Sequence, residues 1–254
     1  MLQNHNNHVN DELKSIVEKY KHPILSNKSR NKTTVQDIYP PLNNTNSVFM
    51  KKVFLGVSIG SCPSFQNNKL LSILTFLDKF ISSSVLIGDS LYQNSLKIQY
   101  GLSSVEAKSE EKIITKSVLL HHKEINFKAI NKNRQYIMCR DIEKEKLFKE
   151  IHNDLKLLLK RDKKTKEIFH GFTKFYLDRV SHIGMDFNKC KLLTIDYLLR
   201  ELSIFGTLSE KGYEALVYPG KISTIANILD SCQPEIKKYF SDFSFISLRL
   251  KRRQ

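Results

Sequence analysis

Lys52-Val53-Phe54-Leu55-Gly56-Val57-Ser58-Ile59-Gly60-Ser61-Cys62-Pro63 is the stretch on which the fold turns. Its apolar run, Val53–Val57, is strand-sized and bounded by Gly, Ser and Pro, so it reads as a buried strand running into a small-residue turn. A helical period follows from about Lys69 to Ser82. The same grammar recurs downstream. Ser84–Gly88 is a second apolar run, ending in Asp89 and followed by helical sequence from about Ser103 to Lys132. Gln135–Cys139 is a third, ending at Arg140-Asp141 and leading into helical sequence at Ile142–Lys160 and Thr165–Val180. A helix over Cys190–Phe205, a fourth strand Glu214–Tyr218 stopped by Pro219, and a helix Ile222–Leu229 complete the pattern. Strands alternating with helices predict an α/β fold, a Rossmann-like doubly wound parallel sheet covered on both faces. Ligands of such sheets bind beyond the strand C-termini, which here means near Ser58, Asp89, Asp141 and Tyr218.

Upstream, residues 1–47 read as a variable polar N-terminal arm, with one short amphipathic helix around Asp11–Lys21 and an Asn/Ser/Thr-rich segment Ser26–Ser47. Residues 48–254 are expected to form one domain. With 41% hydrophobic residues in 254, the chain can bury a core, which excludes a disordered protein. The 41 Lys+Arg against 26 Asp+Glu give +15, more than solubility requires, and predict a polyanionic partner: nucleic acid or an anionic membrane. No stretch approaches the ~20 apolar residues of a bilayer crossing. Met1–Asn10 lacks the apolar core of a signal peptide, so a cytoplasmic location is expected. Cys62, Cys139, Cys190 and Cys232 are scattered without C-x-x-C spacing, which reads as reduced thiols and no structural metal.

On a helical wheel of Ser103–Lys132, Ala107, Ile114, Val118, Ile125 and Ala129 share one narrow stripe, the expected buried face. Lys108, Lys112, Lys116 and Lys123 fall opposite, while Glu106, Glu110, Glu111 and Glu124 project away from the lysine row. A row at i, i+4, i+8 and i+15 can track phosphates; a merely solvated face would look the same in isolation. From Lys108 to Lys166 there are 17 Lys+Arg against 9 Asp+Glu, about half the net charge. Few aromatic residues interrupt this stretch, which favours backbone or shape recognition of folded RNA over base stacking.

Three motifs carry less than they suggest. Gly56-Val57-Ser58-Ile59-Gly60 matches the G-x-S-x-G nucleophile elbow, but Pro63 and polar residues precede the helix. None of His121, His122, His152, His170 or His182 has a distinctive context as its base. Ser181-His182-Ile183-Gly184-Met185 echoes a nucleotide-binding signature, yet it falls between two late helices, and no phosphate loop G-x-x-x-x-G-K-[ST] occurs. The His121-His122 pair, with no carboxylate or Cys cluster nearby, reads as surface or RNA-facing. A serine just past a buried strand is nevertheless placed where a reacting carbonyl could reach it.

Tyr197 and Glu201 lie four residues apart on a predicted helix, so both leave the same face and together could hold an ammonium group; an exposed pair on a solvated helix has the same spacing. Tyr218 closes a strand and is held extended by Pro219 at the sheet's ligand edge.

As an ordered set, Gly56-x-Ser58-x-x-Ser61, Tyr197-x-x-x-Glu201 and Tyr218-Pro219 on a basic Rossmann-like chain resembles the tRNA-dependent cyclodipeptide synthases, over about Lys52 to Leu229. Ser61 and Pro219 resemble the X-Tyr-Pro branch, where the other branch carries Asn and His. The resemblance implies a fold similar to the catalytic domain of class I (tyrosyl/tryptophanyl) aminoacyl-tRNA synthetases without their ATP motifs. It also implies a ping-pong reaction on two aminoacyl-tRNAs per cycle, through aminoacyl- and dipeptidyl-Ser58, that releases a cyclic dipeptide. Tyr197 and Glu201 would grip the α-amino group, Glu201 would accept a proton, and Tyr218 would orient the aminoacyl moiety. Gly56, Phe54, Ser61 and Leu86 would meet the substrate, with Phe54 and Leu86 in the first side-chain pocket, and Lys108, Lys112, Lys116 and Lys123 would meet tRNA. No cofactor, metal or membrane is required, because the tRNA ester is already activated, and a monomer suffices. A non-catalytic tRNA-binding module of the same fold and a serine esterase are the competing readings.

Overall fold

The computed structural model describes residues 2–21, 31–41, 45–60, 62–178, 186–220 and 234–252. Its centre is a six-stranded sheet. The strands are β1 (Asn31–Tyr39), β2 (Lys52–Val57), β3 (Ser82–Ile87), β4 (Tyr136–Met138), β5 (Ala215–Tyr218) and β6 (Ser244–Arg252). They lie in the order β1-β6-β5-β2-β3-β4. All neighbours are parallel except β1 on β6. The mixed α/β class and mostly parallel sheet are as the sequence predicts, with two strands added beyond the four read: β6, parallel to β5, and the antiparallel edge strand β1.

Both faces are covered because the central strands are apolar at successive positions, and successive side chains point to opposite faces. Val53, Leu55 and Val57 of β2, Val85 and Ile87 of β3, and Ala215 and Val217 of β5 enter one core. There they meet Leu13 and Ile16 of α1 (Leu2–Lys21), Leu70 and Ile73 of α2 (Asn67–Leu77), and Ala107, Ile114, Val118 and Ile125 of α4 (Ser104–Asn126). Phe54, Leu86 and Leu216 point the other way. They pack on Ile151 and Leu155 of α6 (Lys146–Arg161), Phe169 of α7 (Lys163–Leu177), and Leu198 and Leu202 of α8 (Phe187–Glu210). Each large apolar side chain so buried contributes about 1.5–3 kcal/mol. Helix α3 (Asp89–Tyr100) starts directly after β3 and ends on Gly101, whose positive φ of 67 suits a C-terminal cap.

The expected stripe on α4 is buried as read, and the helix opens with a capping box between Ser103 and Glu106. It stops at Asn126, six residues short of the predicted end, because the Asn126 side chain turns to meet Arg134 and the carbonyl of Lys132. Arg134 is itself buried, bonded to Asp78, Ser83, Asn126 and the carbonyl of Leu74. A buried guanidinium is tolerated only with such complete pairing.

Four readings need correction. Residues 31–39, inside the segment read as a polar arm, form strand β1. The helix predicted from Ile142 to Lys160 begins only at Lys146, as α6, after the separate short helix α5 (Cys139–Ile142) and a break at residues 143–145. His121 and His122 are both fully buried, not at the surface. Asp89 and Asp141 do not open onto the ligand edge. Asp89 is buried against Arg140, which also pairs with buried Glu111, and Asp141 pairs with Lys144 at the surface. The predicted helix Ile222–Leu229, the Ser181–Met185 motif, Ser61 and Cys232 lie outside the described residues. Cys62, Cys139 and Cys190 are free thiols. Among the described residues no helix is long and apolar enough to cross a membrane, and no cluster of His, Cys, Asp or Glu is placed to hold a metal ion.

Candidate active site

At the C-terminal ends of β2, β3 and β5 the sheet opens into a cavity of about 370 Å³. Strand β2 ends at Val57, and Ser58 is the first residue beyond it. Its Oγ lies 3.5 Å from the Tyr218 hydroxyl at the end of β5, two parallel strands whose ends fall side by side. From the opposite wall, α8 projects Tyr197 and Glu201, one turn apart, into the same space. The Tyr197 hydroxyl donates to Glu201 Oε1 at 3.2 Å. Ser58, Tyr197, Glu201, Tyr218, Gly56 and Leu86 therefore share one cavity.

Phe54 does not reach it. One position before Leu55, it points into the lower core and packs on Phe205, Tyr213 and Phe243. Gly56, two residues on and facing the same way, meets the cavity instead. A Cβ there would come within 2.9 Å of Leu216 Cδ1, so only glycine leaves that strand end open.

The turn after Ser58 is held from behind. Gly60 has φ of 121, a conformation that L side chains rarely adopt. Its carbonyl accepts a 2.5 Å hydrogen bond from the hydroxyl of Tyr20 on α1. Tyr20 is buried and packs edge-on to His121 of α4. Burial pushes its phenol up to about 12, so it remains a donor at neutral pH.

Electrostatically the cavity separates an acid from its surroundings. Burial raises the Glu201 carboxyl to about 7, and the hydrogen bond from Tyr197 only partly opposes that rise. Burial, followed by the nearby Glu201 charge, holds the Tyr197 phenol well above its ordinary value, so it stays protonated. Burial likewise raises Tyr218, although its hydrogen bond with Ser58 acts the other way. A carboxyl that titrates near neutral pH, in the same cavity as a serine hydroxyl, can exchange a proton with a bound amine. Among the described residues no histidine lines the cavity; His152 is instead hydrogen-bonded to Ser203.

The rest of the lining escaped sequence reading: Val57 and Ile59 flanking Ser58, Gly88, Tyr92 and Ser95 at and after the end of β3, Phe172 and Tyr176 of α7, Phe205 of α8, and Leu216. The i, i+4 pairs Phe172/Tyr176 and Glu201/Phe205 were a visible signal. Only the packing of α7 and α8 over the sheet end tells them from core stripes. Lys108, Lys112, Lys116 and Lys123 are exposed on α4 as expected, outside the cavity.

No protein-family model matches the sequence, and no curated protein matches it. Solved structures do match. A CDPS from Fluoribacter dumoffii aligns with a TM-score of 0.75 at 17% identity, over 87% of this chain and 98% of that one. A cyclodipeptide synthase from Bacillus thermoamylovorans aligns with a TM-score of 0.63 at 15% identity, over 85% and 96%. A Mycobacterium tuberculosis protein, described as demonstrating that cyclodipeptide synthetases are related to type I tRNA synthetases, aligns with a TM-score of 0.64 at 14% identity, over 91% and 100%. Over 85% to 91% of its length, this chain has the fold of these cyclodipeptide synthase structures.

Proposed function

We propose that the protein is a tRNA-dependent cyclodipeptide synthase, an aminoacyltransferase that joins two amino acids delivered as aminoacyl-tRNAs. The observation that carries this reading is the shared cavity: a serine at a strand end, a carboxyl near neutrality and two phenols line it together. The fold, the net charge of +15 and the ordered motif set support it.

In the proposed cycle, Ser58 Oγ attacks the carbonyl carbon of the first aminoacyl ester. A new ester forms, the bond to the tRNA ribose oxygen breaks, and the hydroxyl proton passes to that leaving oxygen. This is exchange of one ester for another, so no nucleotide is consumed. The Tyr197–Glu201 pair receives the α-ammonium group, and ionised Glu201 takes its proton. The freed amine of the Ser58-bound residue then attacks the second aminoacyl ester, forming an amide and dipeptidyl-Ser58 and releasing the second tRNA. Attack of the new terminal amine on the Ser58 ester closes the six-membered ring and returns the serine hydroxyl. Holding both ends in one cavity supplies much of the rate of closure. Tyr218, within 3.5 Å of Ser58 Oγ, orients the acyl group. The lysines of α4 are proposed to contact tRNA phosphates.

Incubation with a charged-tRNA pool, followed by mass spectrometry, should detect a diketopiperazine and an acyl adduct on Ser58, both abolished by Ser58→Ala. Absence of both from the wild-type protein would falsify the synthase reading, and adducts from simple esters alone would favour an esterase.

A further inference from the structure

The row on α4 is not where the cationic excess of the chain resides. Helix α4 holds four lysines and four glutamates. Glu111 is buried against Arg140, while Glu106, Glu110 and Glu124 stay on the helix and offset its lysines beyond a Debye length of about 8–10 Å. Arg134 and Arg140, also counted in the basic stretch, are bonded to acids at the sheet edge.

Lys146–Lys166 is different. It carries eight Lys+Arg against three acids, a formal +5 and a third of the chain's +15. The three acids are engaged: Glu150 with Lys146, Asp154 with Tyr239 and Lys238, and Asp162 as the cap of α7 through the Thr165 amide. Lys160, Lys164 and Lys166 are exposed and have no carboxylate partner among the described residues. Along α7, Lys166, His170 and Lys174 follow at i, i+4 and i+8, a ridge about 12 Å long that leads away from the corner. Burial, and behind it the charges of Lys191 on α8 and of Lys166, lowers the His170 pKa, which marks these cations as mutually close.

Two further facts place this surface. Helix α7 also carries Phe172 and Tyr176 into the cavity, so the corner at Lys164 is about 12 Å along the helix from the cavity wall. Helices α6 and α7 pack on the Phe54 face of the sheet, whereas α4 packs on the Val53 face. The cavity thus has a lysine-bearing helix on either side of the sheet.

We propose that the α6–α7 corner, continued along α7 by Lys166, His170 and Lys174, is a second tRNA-docking surface, which takes the phosphate backbone of a charged tRNA whose aminoacyl end lies in the cavity. The inference rests on the synthase reading for the identity of the polyanion; the reaction uses two tRNAs per cycle, and the molecule offers a surface for them on each face. Exposed lysines with their local acids already engaged suit a continuous phosphate chain better than a protein partner, whose carboxylates would be discrete.

The test compares binding of deacylated bulk tRNA to the full chain across a salt series for three proteins: wild type, the corner variant Lys160→Gln/Lys164→Gln/Lys166→Gln, and the α4 variant Lys108→Gln/Lys112→Gln/Lys116→Gln. Gln keeps helix propensity, and all six side chains are exposed, so folding is preserved. Each lost phosphate contact flattens the log–log salt dependence by about 0.7–0.9, so the corner variant should lose about 2 to 3 from the slope and bind at least about tenfold more weakly at physiological salt. Combining the six substitutions should lower the slope further, as separate surfaces require. A corner variant with wild-type slope and affinity overturns the proposal, even in an enzyme that makes cyclic product. A flattened slope supports the surface even if wild-type protein yields no diketopiperazine, an outcome that would count only against the synthase reading.

Discussion

Replacing Glu201 by Gln should make the protein more stable and less active, with both effects set by the same proton. Burial moves the Glu201 carboxyl from its ordinary 4.5 to about 7. Between those values the folded state holds a proton that the unfolded state has lost, so stability falls as pH rises from about 4.5 and levels off above 7. At about 1.36 kcal/mol per pH unit the full loss approaches about 3 kcal/mol for a dry site, and about 1–2 kcal/mol once water enters the cavity and screens the charge. Gln is isosteric with the protonated acid, and its carbonyl can still accept from Tyr197. The variant should therefore match wild type in urea unfolding at pH 5 and exceed it by about 1–3 kcal/mol at pH 8. Wild-type activity should climb as Glu201 ionises, from about one tenth ionised at pH 6 to about nine tenths at pH 8 for a group titrating near 7. In the variant, turnover should fall far more than tRNA affinity. If Glu201→Gln were equally stable or less stable at pH 8, with an unchanged pH slope, the carboxyl would not be the desolvated proton acceptor described.

Gly56→Ala should cost about 1–3 kcal/mol by overpacking Leu216 and should lower acylation of Ser58, read by thermal unfolding and adduct yield. Tyr20→Phe removes the hydrogen bond to the Gly60 carbonyl; stability should drop by about 1 kcal/mol and Ser58 adduct formation should slow, while salt-dependent tRNA binding stays at the wild-type level. Unchanged adduct kinetics would show that the turn holds its shape without α1. Burial, followed by the proximity of His121, lowers His122 to about 3 from an ordinary 6.5, so the unfolded state binds the extra proton below pH 6.5 and stability should fall by about 2 kcal/mol between pH 7 and pH 5. His122→Phe should flatten that part of the pH–stability curve, and an unaltered slope would assign it to other groups.

The central strands were readable because each is a short, almost wholly apolar run closed by Gly, Ser, Asp or Pro, and only a sheet buried on both faces accepts such runs. The edge pair was not. Asn31–Tyr39 offers few buried positions, and its partner lies more than two hundred residues away, so β1 has no local signal of its pairing, whereas Phe245, Ile246 and Leu248 of β6 are a strand-like apolar run that the four-strand reading passed over. His121-His122 misled for a related reason: neutral imidazoles are polar by type, yet here they fill the α4 core face.

For the site, spacing along one helix was enough to put Tyr197 and Glu201 on a common face, and a strand-end turn was enough to expose Ser58, because both periodicities are fixed by backbone geometry. Which of the flanking side chains face the cavity is a matter of packing between elements far apart in sequence. Strand alternation turned Phe54 into the core and Gly56 toward the cavity, the packing of α7 supplied Phe172 and Tyr176, and α1 lent Tyr20 to the Gly60 carbonyl. Net charge, too, is a property of the sequence, but a lysine's reach depends on whether an acid already holds it. That is why the basic stretch resolves, in three dimensions, into buried Arg134, engaged Arg140, a charge-balanced α4 and exposed Lys160, Lys164 and Lys166 where α6 meets α7.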